Sequence, residues 1–162
     1  MMPTTTENTL DAMDWRVLNI LQTRGRTTNL ELSQAVHLSA AQTHRRHRRL
    51  EAIGIIKGYE ARLDATALGL GVTAFVHVTM APNHAKVLTE FRQGIQRMAE
   101  ILSAHAVSGD TDYVLVVVAR DLKALSEVIM SQIMLLPGVN SVRSTVCLEE
   151  VKSTHALPLP KV

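Results

Sequence analysis

The run Tyr113-Val-Leu-Val-Val-Val-Ala119 is apolar at successive positions, so a strand built from it is apolar on both faces. Such a strand needs cover on each side. The residues around it supply the rest of that sheet. Val72 to Met80 alternates in period two and reads as a strand, and Ile101 to Ser108 reads as another. Leu88, Phe91, Ile95 and Met98 fall at helical spacing within Asn83–Met98. Leu122, Leu125, Ile129, Ile133 and Leu136 mark a second helix, stopped by Pro137-Gly138, and Val139 to Leu148 is the last strand. The order is β-α-β-β-α-β, the split ferredoxin-like motif, in which both helices cover one face of the sheet. The second face of this strand then needs another cover. A second copy of the sheet supplies it, which predicts an obligate dimer joined sheet to sheet.

The residues before this body have a different period. Met13, Val17, Leu18, Ile20 and Leu21 give a first helix over about Asp11–Gln22. Thr28 or Asn29 caps a second helix with Leu30, Leu32, Ala35 and Val36 as its core candidates. Ser39 caps a third, from Ala40 to Ala52, stopped by Gly54. Three short helices with tight turns make a helix-turn-helix. Its third helix carries His44-Arg-Arg-His-Arg-Arg49, a cationic stretch that repels itself unless water or an anion screens it. The charge is local: residues 1–63 carry nine Lys/Arg against six Asp/Glu, and residues 64–162 carry eight against nine. A basic head on a neutral body fits a nucleic-acid partner.

The chain is therefore expected to be α+β, a (winged) helix-turn-helix followed by a ferredoxin-like βαββαβ domain. Residues 1–9 are polar and predict a disordered start. Residues 10–55 form the helix-turn-helix, 56–71 a strand and hinge linker, 72–152 the ferredoxin-like domain and 153–162 a C-terminal tail. The strand expected over Ile55–Leu63 serves as a wing or as the connector leaving the head. The single cysteine, Cys147, cannot form an intrachain disulfide and reads as a small buried strand residue. No signal core and no bilayer-length apolar run is visible, which predicts a cytoplasmic protein without a membrane partner.

On the third helix, Thr43, His47 and Leu50 share one side, at ~100° per residue, and should pack inward. Gln42 and Arg45 lie near the helix start, where side chains reach base edges, with Thr43 a lesser candidate. Arg46, Arg48 and Arg49 are expected on phosphates, and the backbone at Ser39–Ala40 offers a phosphate site at the helix start. His44 and His47 are three apart, but no further metal ligand is near in sequence. No metal or cofactor is expected.

These motifs resemble those of the Lrp/AsnC family of transcription regulators, over about Leu10 to Lys152. The resemblance is carried by Leu10-Asp-x-x-Asp14, Gly25-Arg-x-x-Asn29-x-Glu-Leu-Ser33, Leu38-Ser39, Arg45-Arg-x-Arg-Arg-Leu-Glu51 and Gly54-Ile-Ile-x-Gly-Tyr59. In the body it rests on Ser108-Gly-Asp-x-Asp-Tyr113, Leu136-Pro-Gly-Val139 and Glu149-Glu-Val-Lys152. It implies a regulator of amino-acid metabolism or transport genes, a homodimer that assembles to a tetramer or octamer, and a small effector, usually an amino acid, bound between subunits. The loop Gly109-Asp-Thr-Asp112 reads on its own as a hairpin turn. With the resemblance it becomes the effector-site candidate, with Asp112 foremost, Gly109, Asp110 and Tyr113 beside it, and Leu122 and Ser144 on the helix and last strand that family pockets use.

The chain departs from the family pattern at four places. His37 stands where the turn commonly has Gly, Ala40-Ala41-Gln42 replaces a Pro-rich helix start, His47 replaces an apolar residue, and Val142 stands where Thr is frequent. Those departures leave an alternative, an amino-acid-binding oligomeric module with weak or no specific DNA binding. An enzyme is not expected: no Gly-rich phosphate loop, Ser/His/Asp order or HExxH is present.

Overall fold

The computed structural model describes residues 10–82 and 86–160. The chain forms two compact units. One contains the residues up to Arg62 together with the segment from Lys152, and the other is Leu63–Val151.

The first unit, the head, holds helices α1 (Ala12–Leu21), α2 (Asn29–Val36) and α3 (Ala40–Ala52). A side chain just before each helix satisfies the orphan N–H groups of its first turn, and all three use reciprocal capping boxes. These are Asp11 with Asp14, Thr28 with Glu31, and Ser39 with Gln42. The apolar stripes meet in a small core of Val17, Leu18, Leu21, Leu32, Val36 and Leu50. Between α2 and α3 the chain turns on His37, which adopts left-handed φ 56°, ψ 44°. The Leu38 N–H donates to Ser33 O (3.1 Å), closing the helix as a Schellman-type end. The strand expected over 55–63 is absent: these residues pair with no other strand among the described residues. An isolated strand has no partner for its backbone within one chain, so this connector stays irregular.

The second unit, the body, contains β1 (Val72–Met80), α4 (Leu88–Arg97), β2 (Ile101–Ala106), β3 (Tyr113–Ala119), α5 (Leu122–Ser131) and β4 (Val139–Val146). The sheet order is β2-β3-β1-β4, and every neighbouring pair is antiparallel, as the ferredoxin-like motif requires. The fully apolar β3 is a central strand. In its register, Val76 faces Leu115 and Ala74 faces Val117. These pack with Phe91, Ile95, Leu125, Val128 and Ile133 into the larger core. The opposite face presents Phe75 beside Val116 and His77 beside Val114, with Phe75 exposed.

Four boundaries differ from the expectation. The second body helix ends at Ser131, and a 3-10 turn, Ile133–Leu135, carries the apolar stripe on. β2 stops at Ala106 and β4 at Val146. Cys147 therefore lies just past β4 and is only half-buried, held where its N–H donates to Thr73 O (2.8 Å). The first body helix starts at Leu88. The earlier start expected at Asn83 and the disordered segment expected over 1–9 lie outside the described residues.

Candidate DNA interface and effector loop

The basic helix α3 is built so that its two sides do different work. Ser39 Oγ accepts from Gln42 N–H (3.2 Å), and Gln42 Oε1 accepts from Ser39 N–H (3.3 Å). The Gln42 amide oxygen is thus folded back onto the helix start rather than extended to a base. Asn29 Nδ2 donates to Ala40 O (3.0 Å) and ties the start of α2 to that of α3. Thr43, one of the base-contact candidates, is fully buried. It lies on the inward stripe with Leu50, so its side chain is corrected from a base contact to a core position.

The arginines divide. Asp14, on the first turn of α1, is fully buried. Its carboxylate accepts from Arg46 Nη1 (2.9 Å) and Arg49 Nη2, and from the Asp11 N–H (3.0 Å). Arg46 also reaches Asp11 (2.7 Å), and these carboxylates hold its pKa above the ordinary arginine value. The Asp11 carboxyl is held below its usual range, first by the Asp14 N–H it accepts and then by Arg46. Charges taken out of water need such pairing, and here every partner is a charge-assisted bond. The phosphate-contact expectation for Arg46 and Arg49 is revised accordingly: both guanidinium groups already face Asp14 and lock α3 onto α1. Arg48 is exposed and pairs with Glu51 (3.2 Å) one turn on. Arg45 is exposed and has no hydrogen-bond or ion-pair partner among the described residues.

His47 is half-buried on the inward stripe and hydrogen-bonds Tyr59 of the connector. Tyr59 OH also donates to Glu51 Oε1 (3.3 Å). Burial, and then Glu51, raises the Tyr59 pKa. Glu51 is held below its usual range, first by Arg48. The imidazole expected to point inward therefore finds a polar partner there, which an apolar side chain at this position would lack.

In the body, Gly109 sits at the tip of the β2–β3 loop with φ 124°, a backbone conformation that favours glycine. A Cβ there would meet nothing within 4 Å, so the tip is open. Asp112 is half-buried, and its Oδ2 accepts from Met80 N–H (2.7 Å). Thr111 Oγ1 donates to Val78 O (2.8 Å). Asp112 and Thr111 thus pin the loop to the end of β1, while Asp110 is exposed beside them. Tyr113 turns its ring into the helix-covered core against Phe91, centroids 4.9 Å apart.

The six effector candidates do not converge in one chain. The loop precedes Tyr113, and Leu122 follows Ala119 at the other end of the seven-residue β3. Those ends are about 20 Å apart at roughly 3.4 Å per residue. Ser144 lies between them, opposite Val76 on the edge strand β4.

The linear reading missed Asp11 and Asp14 as partners of the basic helix. It also missed Gln22 and Asn19, which bind the C-terminal segment. The Asp-x-x-Asp spacing signals a helix cap, but nothing in it points to arginines more than thirty positions away.

A capped helix-turn-helix with an exposed arginine face, joined to a ferredoxin-like sheet, defines a DNA-binding transcription regulator with a ligand-binding domain. The chain belongs to the Lrp/AsnC family. Residues 10–57 match the winged helix-turn-helix DNA-binding family model, and residues 73–157 match that of the Lrp/AsnC ligand binding domain. The chain is 39% identical over 150 residues to the leucine-responsive regulatory protein of Haemophilus influenzae, covering 93% of this chain and 90% of that one. The Escherichia coli protein of the same name is 39% identical over 148 residues, covering 91% and 90%. Among solved structures, a Neisseria meningitidis transcriptional regulator in complex with L-Met superposes with a TM-score of 0.89 at 35% identity, covering 93% of this chain and 97% of that one. An AsnC family regulator from Agrobacterium tumefaciens gives 0.86 at 29%, covering 92% and 97%. These relatives are regulators, and the chain is accordingly a regulator, not an enzyme. No helix among the described residues is long and apolar enough to cross a membrane.

Proposed function

We propose that this regulator is cytoplasmic and responds to an amino acid, controlling genes of amino-acid metabolism or transport. The observation that carries the effector reading is the division of the effector candidates between two ends of the sheet. A pocket made from Asp110 at one end and Leu122 at the other needs a second copy of the chain. Effector binding and assembly are then linked, and a ligand that prefers one assembly shifts how many heads engage DNA together. The complex of the Neisseria relative with L-Met supports an amino acid as the ligand class. Asp112 already accepts a backbone N–H, so the exposed Asp110 is the carboxylate better placed for a ligand ammonium, and Asp112 orders the loop.

On DNA, Arg45 reads a base edge while Arg48 and the Ser39–Ala40 backbone hold phosphates. Arg46 and Arg49 position the helix, and Gln42 joins in only by opening its capping box. Binding measured across a salt series tests this division. Arg45→Ala should lose about 1–3 kcal/mol of discrimination at one base pair. Arg48→Ala should weaken specific and random DNA alike and flatten the salt slope by about one phosphate. Equal losses on both DNAs for Arg45→Ala would sink the assignment. Thermal-shift screening against the twenty amino acids tests the effector class; a hit should be weakened by Asp110→Asn with the unliganded melting point unchanged.

A further inference from the structure

The head is not finished at Arg62. The chain leaves it, builds the whole of the body, and returns at Lys152 to the same compact unit. What returns is His155-Ala-Leu-Pro-Leu-Pro160, and the head meets it with specific chemistry. The Gln22 side chain binds both polar groups of one residue: Leu157 N–H donates to Gln22 Oε1 (2.9 Å), and Gln22 Nε2 donates to Leu157 O (3.2 Å). One turn earlier on α1, Asn19 Nδ2 donates to Pro160 O (3.2 Å). Asn19 Oδ1 in turn accepts from Gln22 Nε2 (3.3 Å), which holds the two amides in register. Leu159 is half-buried against the small head core, whose flank includes Leu10 and Trp15.

The segment is shaped for this contact. Leu159 N–H donates to Leu157 O (2.8 Å), a three-residue turn centred on Pro158. Proline's ring sets φ near the value that turn needs, and Pro160 disfavours helix at Leu159. Little conformational entropy is then lost on docking. The fit is not close-packed, since a cavity of about 440 Å³ remains between the segment and residues including Leu18, Ile55 and Ile56. No residue of α3 lines it.

We propose that the α1 face of the head is a docking groove for the chain's own Leu157-Pro-Leu-Pro160 segment, which acts as a releasable strap. Gln22 and Asn19 read its backbone, and the apolar groove beside Trp15 takes Leu159. The strap gives the head a second covalent tie to the ligand-binding body, and Tyr59, which lines the groove, hydrogen-bonds His47 of the DNA-reading helix. Trp15, Asn19 and Gln22 lie within the family-model match that ends at residue 57, whereas Pro158–Pro160 lie beyond the one that ends at residue 157.

Trp15 is the only tryptophan in the chain and stands in the groove, so its fluorescence reports occupancy. In the full chain, Leu159→Asp and, separately, Gln22→Ala should raise acrylamide quenching of Trp15. Amide exchange in α1 should quicken roughly tenfold, while exchange in the body strands is unchanged. A synthetic His155–Pro160 peptide with blocked ends should restore Trp15 protection to the Leu159→Asp chain saturably, and a scrambled peptide should not. If quenching is the same in the wild-type chain and both variants, the strap is not docked in solution and the proposal fails. If both variants open the groove but the peptide does not restore protection to the Leu159→Asp chain, the groove does not recognise the segment and the proposal fails equally. Should Leu159→Asp unfold the head, Leu159→Ala with the same peptide gives the same decision, because it trims the strap and leaves every groove residue, Gln22 included, in place.

Discussion

The head and the body solve the same problem with different materials. The body has a broad apolar core between one sheet face and two helices, and its α4 has no side-chain cap at all. Its elements are held by strand pairing and burial. The head has a small core and compensates with polar structure: three reciprocal capping boxes and a buried aspartate bound by two arginines of the recognition helix. A DNA-binding helix must show cations to water, so it has fewer apolar positions with which to fasten itself. Turning part of its charge inward, onto Asp14, solves both needs. The basic block is therefore two sets: Arg46 and Arg49 hold the helix, and Arg45 and Arg48 face outward.

The sharpest way to break this contrast is Asp14→Ala. It removes the common partner of two guanidinium groups and leaves Arg46 half-buried beside Asp11 alone. Losing a charge-assisted hydrogen bond costs about 1.5–3 kcal/mol, and since both guanidinium groups reach water the loss stays in that range, a large share of a small head's stability. The loss should be confined to the head: hydrogen exchange should collapse in α1 and α3 and persist in β1 and β3. An Asp14→Ala chain whose head amides stay protected would mean that apolar packing, not the ion pairs, holds α3.

A second contrast concerns backbone strain. His37 is the only non-glycine among the described residues with positive φ, and it stands at the turn where the family commonly has Gly. A side chain in the left-handed region costs roughly 1–2 kcal/mol, although histidine tolerates it better than branched residues. His37 is exposed and makes no compensating bond that the helix end itself lacks. His37→Gly should therefore stabilise the head by up to about 1 kcal/mol, offset in part by the entropy of a freer unfolded chain. A chemical-denaturation midpoint for the head that falls in His37→Gly would show that the imidazole contributes a contact outweighing the strain.

How much could be read in advance follows the same division. The order of elements in the body was legible because strand and helix leave different periods in an apolar pattern, and β3, having no polar face, showed that both its faces need cover. In the head, α1 was legible through its apolar spacing, and α2 and α3 through the caps expected at Thr28 or Asn29 and at Ser39. Side-chain destinations were not. Arg46 and Arg45 are neighbours of one type, and only the packing of α1 beside α3 sends one to Asp14 and leaves the other free. The effector candidates suffered similarly. A loop of Gly and Asp is legible as a turn, but that Asp112 would face Met80 depends on strand register. The strap had no periodicity to find, because its contacts are made by backbone groups that every residue possesses.

The smallest test uses acid to separate the two units. Asp11 and Glu31, both capping-box carboxylates of the head, are held below their ordinary values. For Asp11 the first cause is the Asp14 N–H, and for Glu31 it is the Thr28 N–H. A carboxyl whose folded pKa is depressed binds protons more readily in the unfolded chain. Its contribution is complete above the ordinary values of 3.8 and 4.5 and is lost as pH falls through the lower folded values. The head should thus lose stability as pH drops below about 4.5, with a slope to which Asp11 contributes. Both groups are largely exposed, so solvent screens the effect and the change per group is small. Asp11→Asn isolates it, since asparagine caps a helix as well as aspartate but does not titrate. Following α1 amide exchange in the full chain from about pH 6 to about pH 3.5, the head of the Asp11→Asn variant should lose protection less steeply than the wild type. Parallel slopes would place the acid sensitivity of the head elsewhere than in Asp11.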